Sequence, residues 1–334
     1  MRSLRSLNTF SAVYGNGQYG DESDYIKLFK PHLHQMFYIH PDANSLLKDI
    51  KPFVKAHAEP VPSTSPYAQY KVMSLAKDHV TVTLDGQGAD EALAGYHYFF
   101  GFYFKELLQK GKYGKLLKET GSYLKNHRSL FGLKSFLFFL LPQAIRTKLR
   151  VEEKGYLNRD FTDAFQGKNQ TIPGALYGSS NLQEALINHF EYKLEHLLKW
   201  EDRNAMWFSL EARVPFLDYR LVESVLSLQG SDIIRNGMTK HILREAMKGS
   251  LPEAIRMRQD KMGFGTPQDE WFRQPVFQHY IRDILNAGSL NERRIIDTKK
   301  AKNIYHDHLN RKGNFGKEIW KWIHLEEWHR EFID

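Results

Sequence analysis

The sequence of 334 residues contains no cysteine. This absence excludes disulfide bonds, thiolate-bound metals, iron–sulfur clusters and a cysteine nucleophile. A chain that needs no disulfide is typical of a reducing compartment.

Long hydrophobic runs are missing as well. The most apolar stretch, residues 136–141, is far shorter than the roughly 20 residues that cross a bilayer. The basic start at residues 1–5 is followed by a stretch too polar to be a signal-peptide core. We therefore expect no transmembrane segment and a cytoplasmic location.

Two common catalytic arrangements are also absent. The pattern Gly-x-Ser-x-Gly, which marks a serine nucleophile on a sharp turn, does not occur in the chain. The close pairs His32/His34 and His306/His308 lack carboxylate partners at the spacing of metal ligands. We therefore expect structural or exposed imidazoles and no histidine-based metal site.

Positive charge is abundant and unevenly distributed. The chain has 47 Lys and Arg against 39 Asp and Glu, a net charge of +8. Residues 101–150 alone contain eleven basic and two acidic side chains, with apolar residues at helical spacing. This pattern favours a solvated helical face with Lys outward and Leu and Phe inward. The alternative is a surface for acidic lipid or nucleic acid, but no fingerprint motif accompanies the charge, so no nucleic-acid partner is expected.

The first hundred residues predict an α/β fold. Residues 9–14 and 79–84 are rich in β-branched and aromatic side chains and predict strands, and residues 36–39 are a weaker third candidate. Helical stretches at residues 43–57 and 66–77 lie between them. This order indicates a parallel sheet with crossover helices. From about Leu182 onward the pattern is mainly helical.

One stretch in this region has the features of an anion site. A predicted buried strand leads into Asp85-Gly86-Gln87-Gly88, and a helix is expected to begin near Ala89. Ligands of parallel sheets lie beyond the carboxyl ends of the strands, where glycines let the backbone approach a phosphate. Asp90 and Glu91 are either ordinary acids of a first helical turn or part of a Mg²⁺ site completed by nucleotide phosphates.

Two later stretches contain further candidates. Arg203, Glu211, Arg213 and Asp218 alternate with large apolar residues, which predicts an internal ion-pair network with a structural role. Lys261 stands between basic residues and a glycine-containing loop. It is either a solvated loop lysine or a point charge that neutralises phosphate.

Four motifs follow one another along the chain. They are Leu7-Asn8-Thr9-Phe10-Ser11 with Asp21-Glu22-Ser23; Gly86-Gln87-Gly88-Ala89-Asp90-Glu91 with Ala94-Gly95-Tyr96; Asp202-Arg203 with Ser209-Leu210-Glu211-Ala212-Arg213-Val214-Pro215-Phe216-Leu217-Asp218; and Lys240-His241-Ile242-Leu243-Arg244-Glu245 with Lys261-Met262-Gly263-Phe264. Together they resemble the C-terminal synthetase domain of the glutamine-hydrolysing asparagine synthetases, to which the β-lactam synthetases are related.

The resemblance implies a fold and a division of the chain. The expected fold is a parallel sheet with flanking helices of the adenine nucleotide alpha hydrolase type, followed by a mainly helical C-terminal half. Residues 1–334 are then a single domain. Its parts are a partial nucleotide-binding region (1–100), a basic helical insertion (101–180) and a helical region with family motifs (181–334).

The resemblance also implies roles for individual residues. Ala12 would line the adenine pocket, and Asp85, Gly86 and Gly88 would contact the nucleotide. The cation that stabilises the departing pyrophosphate would be Lys261. Asp90 would be a Mg²⁺ ligand, and Gln87 would lie among the catalytic residues.

The implied reaction uses ATP and Mg²⁺. The β-carboxylate of aspartate attacks the α-phosphorus to form an acyl-adenylate and pyrophosphate, and ammonia then displaces AMP. Backbone N–H groups, Mg²⁺ and Lys261 would neutralise the negative charge of the first step. The ammonia would come from a partner such as a separate glutaminase, because the glutaminase reaction of the family needs a cysteine and this chain has none.

Two departures from the family pattern limit the expected activity. Gln87 stands where the family commonly has a glutamate, and an amide cannot act as a carboxylate base. The pyrophosphate loop, of the form Ser-Gly-Gly-x-Asp-Ser, is expected before Leu7 and is not found. We therefore expect weak or no turnover from this chain alone. The alternative is a non-catalytic family member that acts as a scaffold, pairing with a partner or second copy through an exposed sheet edge.

Overall fold

A computed structural model describes residues 4–15, 17–152, 155–165, 171–260 and 262–334. The strands in these ranges are β1 (Leu4–Ala12), β2 (Leu33–Ile39), β3 (Val82–Leu84) and β4 (Glu211–Arg213). The helices are α1 (Ser23–Lys27), α2 (Ala43–His57), α3 (Ser65–Ala76), α4 (Ala89–Ala92), α5 (Phe99–Gln109), α6 (Tyr113–His127), α7 (Phe131–Leu140), α8 (Gln143–Glu152), α9 (Arg159–Phe165), α10 (Thr171–Gly178), α11 (Leu182–His189), α12 (Glu195–Trp207), α13 (Tyr219–Leu226), α14 (Gly230–Ile233), α15 (His241–Ala246), α16 (Glu253–Arg256), α17 (Gln268–Trp271), α18 (Pro275–Asn286), α19 (Gly288–Glu292), α20 (Thr298–Leu309) and α21 (Gly316–Phe332). A π-helical turn at Phe190–Leu194 precedes α12, and a 3-10 turn at Pro215–Leu217 follows β4.

The four strands form two small parallel sheets. Strand β1 pairs with β2, with Phe10 opposite Phe37, and β3 pairs with β4, with Leu84 opposite Arg213. The rings of Phe10 and Phe37 stack with 5.3 Å between their centroids, and this contact stabilises the pairing of β1 with β2. Parallel pairing confirms the predicted α/β class.

Helices α3 and α12 connect the two sheets. Met73 and Ala76 of α3 and Ala205 of α12 belong to one buried cluster, and Phe10 of β1 and Ala212 of β4 pack against it. The strands are short, so most of their stability must come from this apolar contact with the helices rather than from ladder hydrogen bonds.

The helix α2 illustrates why the predicted helices form where they do. Asp42 accepts a hydrogen bond from the backbone N–H of Ser45 at 2.7 Å, and the Ser45 hydroxyl accepts one from the N–H of Asp42. This reciprocal cap starts the helix, and Ala58 ends it in a left-handed conformation with φ 52°. One side of α2 is buried in the largest apolar cluster together with α21.

A second large cluster surrounds α5. The aromatic side chains Phe99, Phe100, Phe102 and Phe104 of this helix are fully buried. Helices α6, α7 and α11 pack around them.

The predicted elements match the structure with three exceptions. The strands near residues 9–14, 36–39 and 79–84 and the helices near 43–57 and 66–77 are confirmed. The strand before Asp85 was predicted to be buried, but β3 is only half-buried and Leu84 is 66% exposed. The physical reason is that β3 lies in a sheet of only two described strands and has a neighbouring strand on one edge alone. Strand β4 interrupts the C-terminal half, which is otherwise helical as predicted.

The third exception concerns the basic segment. Residues 101–150 form helices, but the prediction that Leu and Phe point inward is wrong for part of them. Leu117, Phe131 and Leu137 are more than half exposed. In the described part of the chain, no helix combines the length and the apolar character that a membrane crossing requires.

Candidate functional site

The loop after β3 leads directly into α4. Gly88 stands before this helix with φ 90°, a conformation that glycine adopts readily. A Cβ atom at Gly88 would collide with the side chain of Leu217 in the 3-10 turn after β4. The close packing of this loop on the turn explains the glycine at position 88.

The two acidic residues of α4 point to different environments. Glu91 is buried and accepts a hydrogen bond of 2.6 Å from the hydroxyl of Tyr96. Asp90 instead forms an ion pair with Lys240, 2.5 Å between Oδ1 and Nζ. Glu91 therefore has a structural partner, whereas Asp90 faces a cationic group from a distant part of the chain.

Lys240 is positioned by its backbone. Its N–H donates to the carbonyl oxygen of Leu93, and its φ of 54° is the left-handed conformation that precedes α15. Gly95 lies beside the ion pair, where a Cβ atom would collide with the Asp90 carboxylate and lie 2.7 Å from Cε of Lys240. The ion pair between Asp90 and Lys240 therefore requires a glycine at position 95.

A cavity of about 270 Å³ opens beside Lys240, and we call it the basic cavity. Its charged lining residues are Lys240, Arg244, Arg256, Arg258 and Asp260. Its remaining lining residues are Gly95, His97, Thr239, Leu243, Met247, Leu251, Ile255, Gln259 and Met262. Four of these side chains are cations, but Lys240, Arg256 and Arg258 each form an ion pair with an acid. A negatively charged ligand would therefore bind Arg244 or compete with one of these acids.

The cations of the basic cavity are held rigidly. Arg244 donates to the carbonyl oxygens of Thr239 and Arg256, so its charge has no acidic partner among the described side chains. Arg256 pairs with Glu253 at 2.6 Å. Groups held in this way are preorganised for an anion, because little side-chain entropy is lost when the anion binds.

The segment at residues 258–262 joins the cavity to the region after β1. Arg258 pairs with Asp260 and with Glu22, at 2.7 Å and 2.5 Å. The Arg258 guanidinium also holds the pKa of Asp260 below its usual value. Since Glu22 belongs to the acidic segment that follows the first strand, the first, second and fourth motifs meet around this cavity.

A comparison with known protein families agrees with this convergence. The sequence profile of the asparagine synthase family matches residues 1–330. The chain belongs to the asparagine synthase family.

Curated members of the asparagine synthase family resemble the chain over much of its length. The glutamine-hydrolysing asparagine synthetase 1 of Bacillus subtilis is 26% identical over 290 residues, which is 81% of this chain and 44% of the relative. A putative glutamine-hydrolysing asparagine synthetase 2 of Methanocaldococcus jannaschii is 32% identical over 194 residues, 55% of this chain and 36% of the relative. The chain therefore spans less than half the length of these relatives.

Two of the predicted site residues, Asp85 and Gln87, lie just after β3 and are not among the lining residues of the basic cavity. Asp85 follows the strand, and the Thr83 hydroxyl donates to its carboxylate at 3.0 Å. The carboxyl group of Glu201, from α12, is buried beside Asp85 and Gln87.

The pair of Asp85 and Glu201 is a proton-sharing site. Burial, together with the negative charge of Asp85, raises the pKa of Glu201 to about 8. Burial also raises the pKa of Asp85. Two adjacent carboxyl groups with little hydration cannot both ionise at neutral pH, so the pair retains one proton.

The remaining predicted site residues have separate positions. Gly86 is exposed, and no atom lies within 4 Å of the place where its Cβ would be. Ala12 ends β1, opposite Ile39 of β2, and is not among the described lining residues of the basic cavity. Lys261 lies outside the described residues, although its neighbours Asp260 and Met262 line the cavity.

The predicted internal ion-pair network of the third motif is wrong. Glu211 and Arg213 pair with each other at 2.7 Å on the solvent side of β4, and both side chains are about 60% exposed. Asp218 caps α13 and pairs with Arg220. Residues two apart in a strand share one face, and here that face is in water, so the charges do not need burial.

Two residues of the site were missed by the sequence analysis. Lys240 belonged to the fourth motif, but nothing in its local pattern marked it as the partner of Asp90. Glu201 directly precedes the third motif, which begins at Asp202, and is not part of it. A buried carboxyl group is recognisable only from tertiary contacts, because its sequence context resembles that of an exposed helical glutamate.

The donor set around Asp90 fits a magnesium ion that a nucleotide brings with it. No group of three or more His, Asp or Glu side chains in the described ranges is arranged to hold a metal by itself. Mg²⁺ commonly binds through one or two carboxylates together with substrate phosphates and water. Asp90, beside a cavity lined by cations, would provide the carboxylate of such a site.

Proposed function

We propose that this chain activates a carboxylate with ATP and converts it to an amide, as the synthetase part of the family does, with aspartate as the substrate. The observation that carries the proposal is the ion pair between Asp90 and Lys240 at the rim of the basic cavity. A carboxylate and a lysine ammonium placed beside three arginines are suited to a magnesium-bound polyphosphate.

The first step develops negative charge on the departing pyrophosphate. Lys240 and Arg244 are the described cations that would stabilise it, and Lys261 is the further cation implied by the fourth motif. Asp90 would hold Mg²⁺, which supplies Lewis acidity to the phosphates when bound. The fixed arginines lower the cost of neutralising charge in the transition state because they need not reorganise.

We further propose that the two parallel sheets belong to a nucleotide-binding fold of the adenine nucleotide alpha hydrolase type. The supporting observation is that the loop leaving the carboxyl end of β3 leads into α4 and its Asp90. Ala12 at the end of β1 and Gly86 after β3 would then contact the nucleotide.

The amidation step needs a group that receives a proton from ammonia. Gln87 cannot do so, because an amide is not basic. The adjacent carboxyl pair of Asp85 and Glu201 holds a shared proton and lies at the same loop. An external ammonia source, such as a separate glutaminase, would supply the nitrogen.

The proposal is tested by exchange of radiolabelled pyrophosphate into ATP. We expect weak exchange, because the chain shows no pyrophosphate-loop motif, and this exchange should require Mg²⁺ and aspartate and fall at least tenfold in Lys240→Ala. Exchange with glutamate or another small carboxylate, but not with aspartate, would support the proposed reaction and identify a different substrate. Failure to bind Mg·ATP in calorimetry, together with no exchange, would contradict the proposal and favour a non-catalytic scaffold.

A further inference from the structure

The outward sides of α6 and α7 expose six large apolar side chains. They are Tyr113, Leu117, Leu130, Phe131, Leu137 and Leu140, with exposed fractions between 45% and 75%. Single exposed apolar residues are ordinary, but six on two consecutive helices indicate a binding surface.

The arrangement within α7 shows that this exposure is systematic. Residues 131, 134, 137 and 140 are all exposed and are spread over the half of the helix that lies opposite the buried residues 132, 135 and 139. Three of these four residues are apolar, and the fourth is Lys134. The opposite side contributes Phe139, whose ring stacks on Phe102 of α5 at 3.9 Å.

The two helices follow one another in the chain and meet where the end of α6 contacts the start of α7. Both pack on the buried helix α5. The backbone N–H of Gly132 at the start of α7 donates to the hydroxyl of Tyr123 in α6 at 2.9 Å. We call the combined surface, which faces away from α5, the α6–α7 outer face.

Basic side chains are interleaved with the apolar ones on this surface. Lys118, Lys125 and Arg128 extend from α6 and the loop after it, and Lys134 extends from α7; all four are exposed. Across the described ranges, no ion pair joins any of these four to an acidic side chain. Their positive charge is therefore available to an external anionic partner.

The acidic side chains of the basic segment do not offset this charge. Glu119 is buried and accepts hydrogen bonds from the backbone N–H groups of Asn236 and Gly237. Glu106 is bound to Lys110 and to the N–H of Leu182. Both of these acids hold other helices in place, so neither neutralises the α6–α7 outer face.

We propose that the α6–α7 outer face docks on an anionic phospholipid membrane. Leucine and phenylalanine side chains would enter the boundary between headgroups and acyl chains, while Lys and Arg contact the acidic headgroups. A nucleic acid would use the charge but gain little from the leucines. A second copy of the chain would bring two positive faces together, which electrostatic repulsion disfavours.

The test is flotation of the full chain with vesicles of phosphatidylcholine alone or with 30% phosphatidylglycerol as the probe. We expect at least tenfold stronger partitioning to the anionic vesicles and a decrease with added salt. The double variant Lys118→Gln/Lys125→Gln should lower partitioning about 30-fold, since each charge near the surface contributes about 1 kcal/mol. The matched control is Lys299→Gln/Lys302→Gln on α20, which removes the same charge from another exposed helix and should bind as the unmodified chain does.

A second variant separates membrane docking from simple polyanion binding. Leu117→Gln/Leu137→Gln keeps every charge and should also lower partitioning to anionic vesicles at least fivefold, with unchanged circular dichroism. The proposal would be overturned if this variant bound both heparin and anionic vesicles as strongly as the unmodified chain does. Equal binding to neutral and anionic vesicles, or a dimer in solution that the same variant dissociates, would also overturn it.

Discussion

The ammonium of Lys240 lies 2.5 Å from the carboxylate of Asp90, although 150 positions separate them in the sequence. The pair is only partly accessible, with side-chain exposures of 26% and 17%. The ion pair lies where α4 meets the basic cavity.

Removal of Lys240 should weaken the binding of magnesium pyrophosphate. Lys240→Ala removes a point charge from the cavity, and hydrogen bonds to charged groups are worth about 1.5–3 kcal/mol, so we expect at least a tenfold loss of affinity. Isothermal titration calorimetry measures the change directly. Lys299→Ala on α20 is the control, and an unchanged affinity in Lys240→Ala would show that the phosphate site lies elsewhere.

A side chain at Gly95 should damage both the fold and the cavity. In Gly95→Ala the new methyl group collides with the Asp90 carboxylate, and overpacking of this kind costs about 1–3 kcal/mol. Urea denaturation should therefore show a clear loss of stability, accompanied by weaker binding of magnesium pyrophosphate.

The matched control for this substitution is Gly86→Ala. Gly86 has open space where its Cβ would be, so the change in the free energy of unfolding should stay within about 0.5 kcal/mol. Equal effects of the two substitutions would mean that the contact between Gly95 and the ion pair is not required.

Glu201 should make the stability of the protein depend on pH. Its pKa is raised from 4.5 to about 8 by burial, so the folded chain keeps a proton that the unfolded chain releases between these values. The free energy of unfolding should therefore fall as pH rises through this window, by up to about 1.4 kcal/mol per pH unit from this group.

The variant Glu201→Gln isolates this contribution. It stays uncharged, so the difference between its stability and that of the unmodified chain should grow in favour of the variant from pH 5 to pH 8. Glu195→Gln, an exposed position on the same helix, should show no such difference. Parallel stability curves for Glu201→Gln and the unmodified chain would refute a protonated carboxyl pair at Asp85 and Glu201.

The sequence by itself determined the local elements and the family. The β-branched and aromatic content of the strands and the glycines before α4 act over a few residues, so their consequences are readable without a fold. The four ordered motifs led to the asparagine synthase family, which the match over residues 1–330 shows. The helix beginning near Ala89 was likewise correctly predicted.

Only the tertiary structure decided which side chains meet. It paired Asp90 with Lys240 and brought Glu201 to Asp85, and it left Glu211 and Arg213 in water. It also turned the leucines of α6 and α7 outward. The physical reason is that pairing and burial depend on contacts between residues far apart in the chain, whereas the hydrophobic period of a helix reveals an apolar side without showing what covers it.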